Sequence, residues 1–251
     1  MSNLVPAFVT EFNEVVNGCA IFRYITRDNA LQRDSCSKLR DLLVKIKAEK
    51  ESAKASDDEN YANLLLGCEC VADALISEID MWVLLKEGRP DEAWDALVGA
   101  QSSSASAIRA HEGFAHIEEN LRRLNTIEDL IFPPQVFLSS GMIVNSQICS
   151  ICGEDYEDCE HVKGRPYMGQ LCSVTLIPSA IDHVSIVDNP ANKRCRIVKF
   201  SAEGGYRNRM TWVVGPDDRK NNETNENTAE GIFAISTPSK ENAAKDVRIV
   251  E

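Results

Sequence analysis

Five side chains that bind soft metal ions fall within 24 residues of this sequence: Cys149, Cys152, Cys159, His161 and Cys172. Cys149-Ser-Ile-Cys152-Gly153 sets two thiolates three residues apart on a tight turn, where the glycine allows a positive φ. Cys159-Glu-His161 supplies two further donors after six intervening residues. A structural zinc ion takes four ligands in a tetrahedron. The expected set is Cys149, Cys152, Cys159 and His161, with an alternative in which Cys172 replaces His161. A catalytic zinc would keep one position open for water and use a carboxylate as base. Glu154, Asp155, Glu157, Asp158 and Glu160 surround the cluster, but a solvated acidic knuckle accounts for them equally well. With so many soft donors available, a closed structural site is expected.

Other reactive residues carry less. His111, Glu112 and His116 do not form His-Glu-x-x-His, because the second histidine comes one residue late, and they read as exposed helix surface. Cys19, Cys36, Cys68 and Cys70 lie near apolar residues in the helical half and read as small buried hydrophobes. Cys68 and Cys70 would point about 200° apart on a helix, which does not suit a shared metal. Ser139-Ser140-Gly141 reads as a turn just ahead of the cluster.

The elements that must position these groups fall into two textures. Residues 5–132 read as helix nearly throughout. Phe8, Phe12, Val15 and Val16 make a first apolar stripe, broken near Thr26–Asn29. A second helix carries Leu39, Leu42, Leu43 and Ile46 and is expected to dissolve into the charged run 47–55. Ser56-Asp-Asp-Glu59 has the form of a capping box. After it, Tyr61, Leu65, Cys68, Ala72, Leu75, Ile79 and Trp82 recur at spacings of four and three, an apolar seam. Gly88-Arg-Pro90 ends that helix, and Pro90 suits the first turn of the next, with Trp94 and Leu97 inward. Residues 101–106 read as a loop or a helix end. A last helix carries Ile108, Phe114, Ile117, Leu121, Leu124 and Ile127.

Pro133-Pro134 closes the helical part, since consecutive prolines lack amide donors and disfavour helix before them. Short β-branched runs follow at 135–138, 142–145, 173–177, 183–187, 196–200 and 211–214. Beyond Pro216 the chain is polar, though 231–236 and 247–250 could form peripheral strands. The expected class is α+β: an antiparallel helical bundle over 1–132, a zinc-stapled β-rich domain over 133–215, and a polar loop and tail over 216–251.

Composition narrows the function. A formal charge of -12 argues against a nucleic-acid footprint, which needs clustered Lys and Arg. The apolar runs fall well short of the ~20 residues of a membrane span. The N-terminus lacks a basic region ahead of an apolar one, so no signal peptide is expected and the protein is placed in the cytoplasm. Nine cysteines, an odd number without a disulfide framework, favour reduced thiols and a metal.

One resemblance spans the centre of the β-rich part. Ser139-Ser140-Gly141-Met142, the cluster from Cys149 to Cys172 with His161-Val-Lys-Gly164 and Tyr167-Met-Gly169, and His183-Val-Ser-Ile-Val-Asp-Asn-Pro-Ala-Asn192 follow in that order. Together they resemble the C-terminal half of phage prohead maturation proteases carrying a zinc-knuckle insert, over about 55 residues. The resemblance implies a serine-protease fold with Ser139 as nucleophile. A nucleophilic serine needs a positioned base, and the family's histidine comes from strands that precede the serine, where this chain has helices. His111 and His116 belong to the helical half, His161 is taken by the metal, and His183 stands where the family phrase has glutamate. The expected role is therefore non-catalytic: an interaction or scaffold protein of a prokaryotic or phage complex, in phage assembly or anti-phage defence, with structural zinc and protein partners. The alternative is a serine protease cleaving a protein component.

Overall fold

A computed structural model describes residues 7–216, 228–234 and 244–250. Five helices come first: α1 Ala7–Ala20, α2 Asn29–Ala55, α3 Glu59–Lys86, α4 Pro90–Ala110 and α5 Ile117–Ile131, with a short 3-10 turn, Glu112–Phe114, before the last. Strands follow: β1 Phe137–Cys149, β2 Pro166–Tyr167, β3 Gln170–Leu171, β4 Val174–Val187, β5 Arg196–Ala202, β6 Gly205–Asn208, β7 Val214–Gly215, β8 Thr228–Ala234 and β9 Ala244–Val250. The class is α+β. The chain forms two compact units, one of residues 1–130 with 161–173 and the other of 131–160 with 174–251.

In the helical unit the core follows the periodicity. Leu39 and Ile46 of α2 and Leu65, Ala72 and Ile79 of α3 are fully buried, and Cys68, Leu75 and Trp82 nearly so. Each large aliphatic side chain removed from water contributes about 1.5–3 kcal/mol before entropy is set against it. Trp94 and Leu97 turn inward from α4.

Helix α2 does not dissolve at residue 47. Ala53 is buried in its last turns, and a Lys50–Glu69 ion pair ties its charged stretch to α3. Residues 101–106 likewise lie inside α4. Ser56 is not the cap of α3. Its hydroxyl donates to the carbonyls of Ser52 and Ala53 and closes the end of α2, while the Asp58 carboxylate accepts from the Tyr61 amide and caps α3. Asp57 between them sits at φ 57°, so one tight turn ends one helix and starts the next.

Helix α3 ends in a Schellman motif. Gly88 has φ +72°, its amide donates to the Leu85 carbonyl, and the Arg89 amide reaches back to Leu84. Pro90 then occupies the first turn of α4. His111 and His116 lie off the helices: His111 Nδ1 accepts from the Gly113 amide, and His116 Nδ1 bonds the Gly113 carbonyl.

In the sheet unit, β1 pairs antiparallel with β4 from Phe137↔Val187 to Cys149↔Val174, so the four short strands expected there are two long ones. The sheet runs β4-β1-β5-β6-β7, with β8 on β5 and β9 on β8. Residues 211–213 are not strand: Trp212 takes φ +60° in the loop ahead of β7. Ser139-Ser140-Gly141 is not a turn either. Those residues lie inside β1, opposite Ser185, Val184 and His183, and the ladder shifts register only after Gly141.

Candidate metal centre

The knuckle grows from the end of β1. The Cys149 amide donates to the Glu154 carbonyl, and the Gly153 amide returns to the Cys149 carbonyl at 3.0 Å. Gly153 takes φ +77°, which closes the turn without a Cβ penalty. The Tyr156 amide then bonds the Gln147 carbonyl, and Ile148 bridges Asp155. Asp155 is engaged in this turn: its carboxylate accepts from the Glu157 amide at 3.1 Å, and its carbonyl accepts from the Asp158 amide. Glu154, Glu157, Asp158 and Glu160 are solvent-exposed, as expected for a solvated acidic knuckle.

Cys149, Cys152, Cys159 and His161 bring one donor atom each to within 4.8 Å of one another. A tetrahedral ion with ligands at 2.0–2.3 Å spaces its donors roughly 3.3–3.8 Å apart, so this quartet can hold one metal ion after a small contraction. Cys172 is buried and is not part of that group. Its backbone serves elsewhere: its amide donates to the Arg165 carbonyl and its carbonyl accepts from the Gly164 amide, both at 2.8 Å.

Electrostatics set Cys149 apart from the helical cysteines. The Cys152 amide is the largest influence on its thiol and favours the thiolate. Burial opposes this, while the Ile151 amide, 3.4 Å from the sulfur, and the Cys152 and Cys159 thiols reinforce it. The result is a thiol lowered from 9.0 to about 6, suited to ligating at neutral pH. Burial pushes Cys36, Cys68 and Cys70 the other way, to about 12, and raises Cys19 as well. Those four stay protonated, with Cys70 only half-buried and the rest in the core.

His161 has a neighbour that sequence reasoning missed. The Tyr167 ring meets it edge to face, with centroids 4.7 Å apart, and the Tyr167 hydroxyl accepts from the Val162 amide. Tyr167 is placed by a two-residue hairpin in which Met168 and Gly169 have φ 45° and 76°, the signature of a type I′ turn. The Gly169 amide donates to Asn63 of α3 at 2.8 Å, and a Cβ at Gly169 would stand 3.1 Å from the Ala62 carbonyl at a φ of +76°, so any other residue is strained there. No signal in the sequence marks this contact, since the hairpin that makes it joins two strands of only two residues each.

Ser139 lies mid-strand and half-buried. Across the ladder, His183 packs its ring over Gly141 so closely that a Cβ there would come within 2.3 Å of it. His183 Nδ1 is 2.9 Å from the Asp182 carboxylate, and both side chains are largely exposed. Among the described residues no hydrogen bond joins Ser139 to a histidine. No family model, curated protein or solved structure matches this chain. No helix among the described residues is long and apolar enough to cross a membrane.

Proposed function

We propose that Cys149, Cys152, Cys159 and His161 hold a structural zinc ion, and that the protein is a non-catalytic interaction or scaffold component of a prokaryotic or phage complex. The observation that carries this reading is the quartet itself: four soft donors already gathered within 4.8 Å. Four protein ligands complete a zinc tetrahedron and leave no position for a reacting water. The ion then contributes folding free energy to the knuckle rather than chemistry. The helical unit and the zinc-stapled sheet offer separate rigid surfaces to protein partners, in the cytoplasm, during phage assembly or anti-phage defence. The resemblance of residues 137–192 to prohead proteases supplies the phage setting.

A second reading, a serine protease with Ser139 as nucleophile, is favoured by one observation. His183 lies opposite Gly141, two residues from Ser139 along β1, and Asp182 stands at its Nδ1. The large exposure of that pair leaves it poorly placed to activate an alcohol, since such activation relies on a desolvated site. A fluorophosphonate probe separates the readings. The scaffold reading expects no labelling of the purified zinc-loaded protein; labelling that disappears in Ser139→Ala establishes the protease instead.

A further inference from the structure

Strands β1 and β4 leave the rest of the sheet together. Strand β5 meets β1 only at its start, through Phe137↔Arg196 and the Leu138 amide on the Cys195 carbonyl. Over residues 139–146, β1 and β4 therefore form a two-stranded ribbon, and among the described residues no further strand pairs with either edge. Such a ribbon is marginal by itself in water. This one also exposes apolar side chains, with Ile143 at 56% and Ile181 at 44%.

The two edges differ. Strand β4 carries features that keep another strand away: Pro178, which has no amide to donate, the charge of Asp182, and two extra residues, Ser179 and Asp182, that bulge from its ladder with β1. Strand β1 has none of these. Phe137–Cys149 holds no charged residue and no proline, in a chain of which 26% is charged. Its one extra residue, Asn145, comes after Val144.

The open main-chain groups follow from alternation, since successive residues of a strand turn theirs to opposite edges. The Leu138 amide points to the β5 edge, so Ser140, Met142 and Val144 point there too. The Ile143 carbonyl faces β4 and accepts from the Ser179 hydroxyl at 3.2 Å. Past the Asn145 bulge the phase changes: the Gln147 carbonyl and the Cys149 amide take that edge and are bonded to Tyr156 and Glu154 of the knuckle. The open stretch is 140–144, and its midpoint is Met142.

We infer that this edge pairs with the same edge of a second copy, antiparallel about a two-fold axis at Met142, joining two ribbons into one four-stranded sheet. Met142 then faces its own copy and Ser140 faces Val144 of the other, with about six main-chain hydrogen bonds in all. The exposed Ile143 of each copy falls beside Gly141 of the other, which has no side chain to compete for the space. Selecting a particular foreign strand takes charges or pockets that read its side chains. This edge has no charge to select with, whereas pairing with itself opposes no like charges.

Sedimentation equilibrium of the full-length protein tests the inference. The wild type should sediment at twice the chain mass at about 100 μM, and a monomer at that concentration would overturn the proposal. Met142→Lys and Met142→Glu should each shift the protein to monomer, because the axis sets like charges face to face, and an equimolar mixture of the two should regain the dimer. A dimer that survives both substitutions, or folded variants that stay monomeric when mixed, would overturn it as well. If circular dichroism shows either variant misfolded, amide exchange of the wild type decides. The Ser140, Met142 and Val144 amides should be protected at high concentration and lose that protection on dilution. Fast exchange of all three at every concentration would contradict the pairing.

Discussion

The Tyr167 ring stands edge to face on His161 at 4.7 Å, and its hydroxyl accepts a hydrogen bond from the Val162 amide one residue beyond that histidine. One side chain thus orients the imidazole and anchors the backbone that carries it. Groups that orient a metal ligand commonly contribute about 10–100-fold in affinity. Tyr167→Ala should weaken zinc binding by about that factor in a chelator competition, and Tyr167→Phe, which keeps the ring and loses only the hydroxyl, by less. Equal losses in the two variants would assign the whole effect to the hydroxyl.

Acid should release the metal. The Cys149 thiol in the folded protein sits near 6, below its ordinary 9.0, so its thiolate contribution is complete above about pH 9 and is lost as pH falls through about 6. Zinc ligation requires the thiolate, and protons compete for it directly. Release to a colorimetric chelator should stay slow at pH 7 and rise steeply below about pH 6. A release profile centred well above neutral pH would contradict the depressed thiol.

The start of α3 offers a stability test. Asp58 carries the cap bond to the Tyr61 amide at 3.0 Å, whereas Ser56 bonds backward to α2. Asp58→Ala should lower unfolding free energy by about 0.5–2 kcal/mol in urea, and Ser56→Ala by clearly less. The reverse order would restore Ser56 as the cap.

What could be read in advance was whatever is local in the chain. The α3 seam was legible because its burial follows a 3.6-residue period, and the metal quartet because its four residues lie within 13 positions of one another. The residues misread were those decided by distant partners. Ser56-Asp-Asp-Glu59 fits a capping box, yet the end of α2 claims the serine hydroxyl. Ser139-Ser140-Gly141 has turn chemistry, yet β4 pairs every one of the three. Residues 47–55 look like a solvated charged run, yet Ala53 packs inward and Lys50 meets Glu69 on α3. Tyr167 gave no sign of facing His161, because a hairpin of two short strands brings it back. The expected strand over 231–236 is present as far as Ala234, and its last two residues lie outside the described ones.

The central claim is a closed zinc site of Cys149, Cys152, Cys159 and His161. Elemental analysis of protein purified without chelator tests it most directly, alongside His161→Ala and Cys172→Ser. About one zinc per chain is expected in the wild type and in Cys172→Ser, with marked loss in His161→Ala. A wild-type protein that purifies without metal, or one that loses its zinc in Cys172→Ser and keeps it in His161→Ala, would contradict the account.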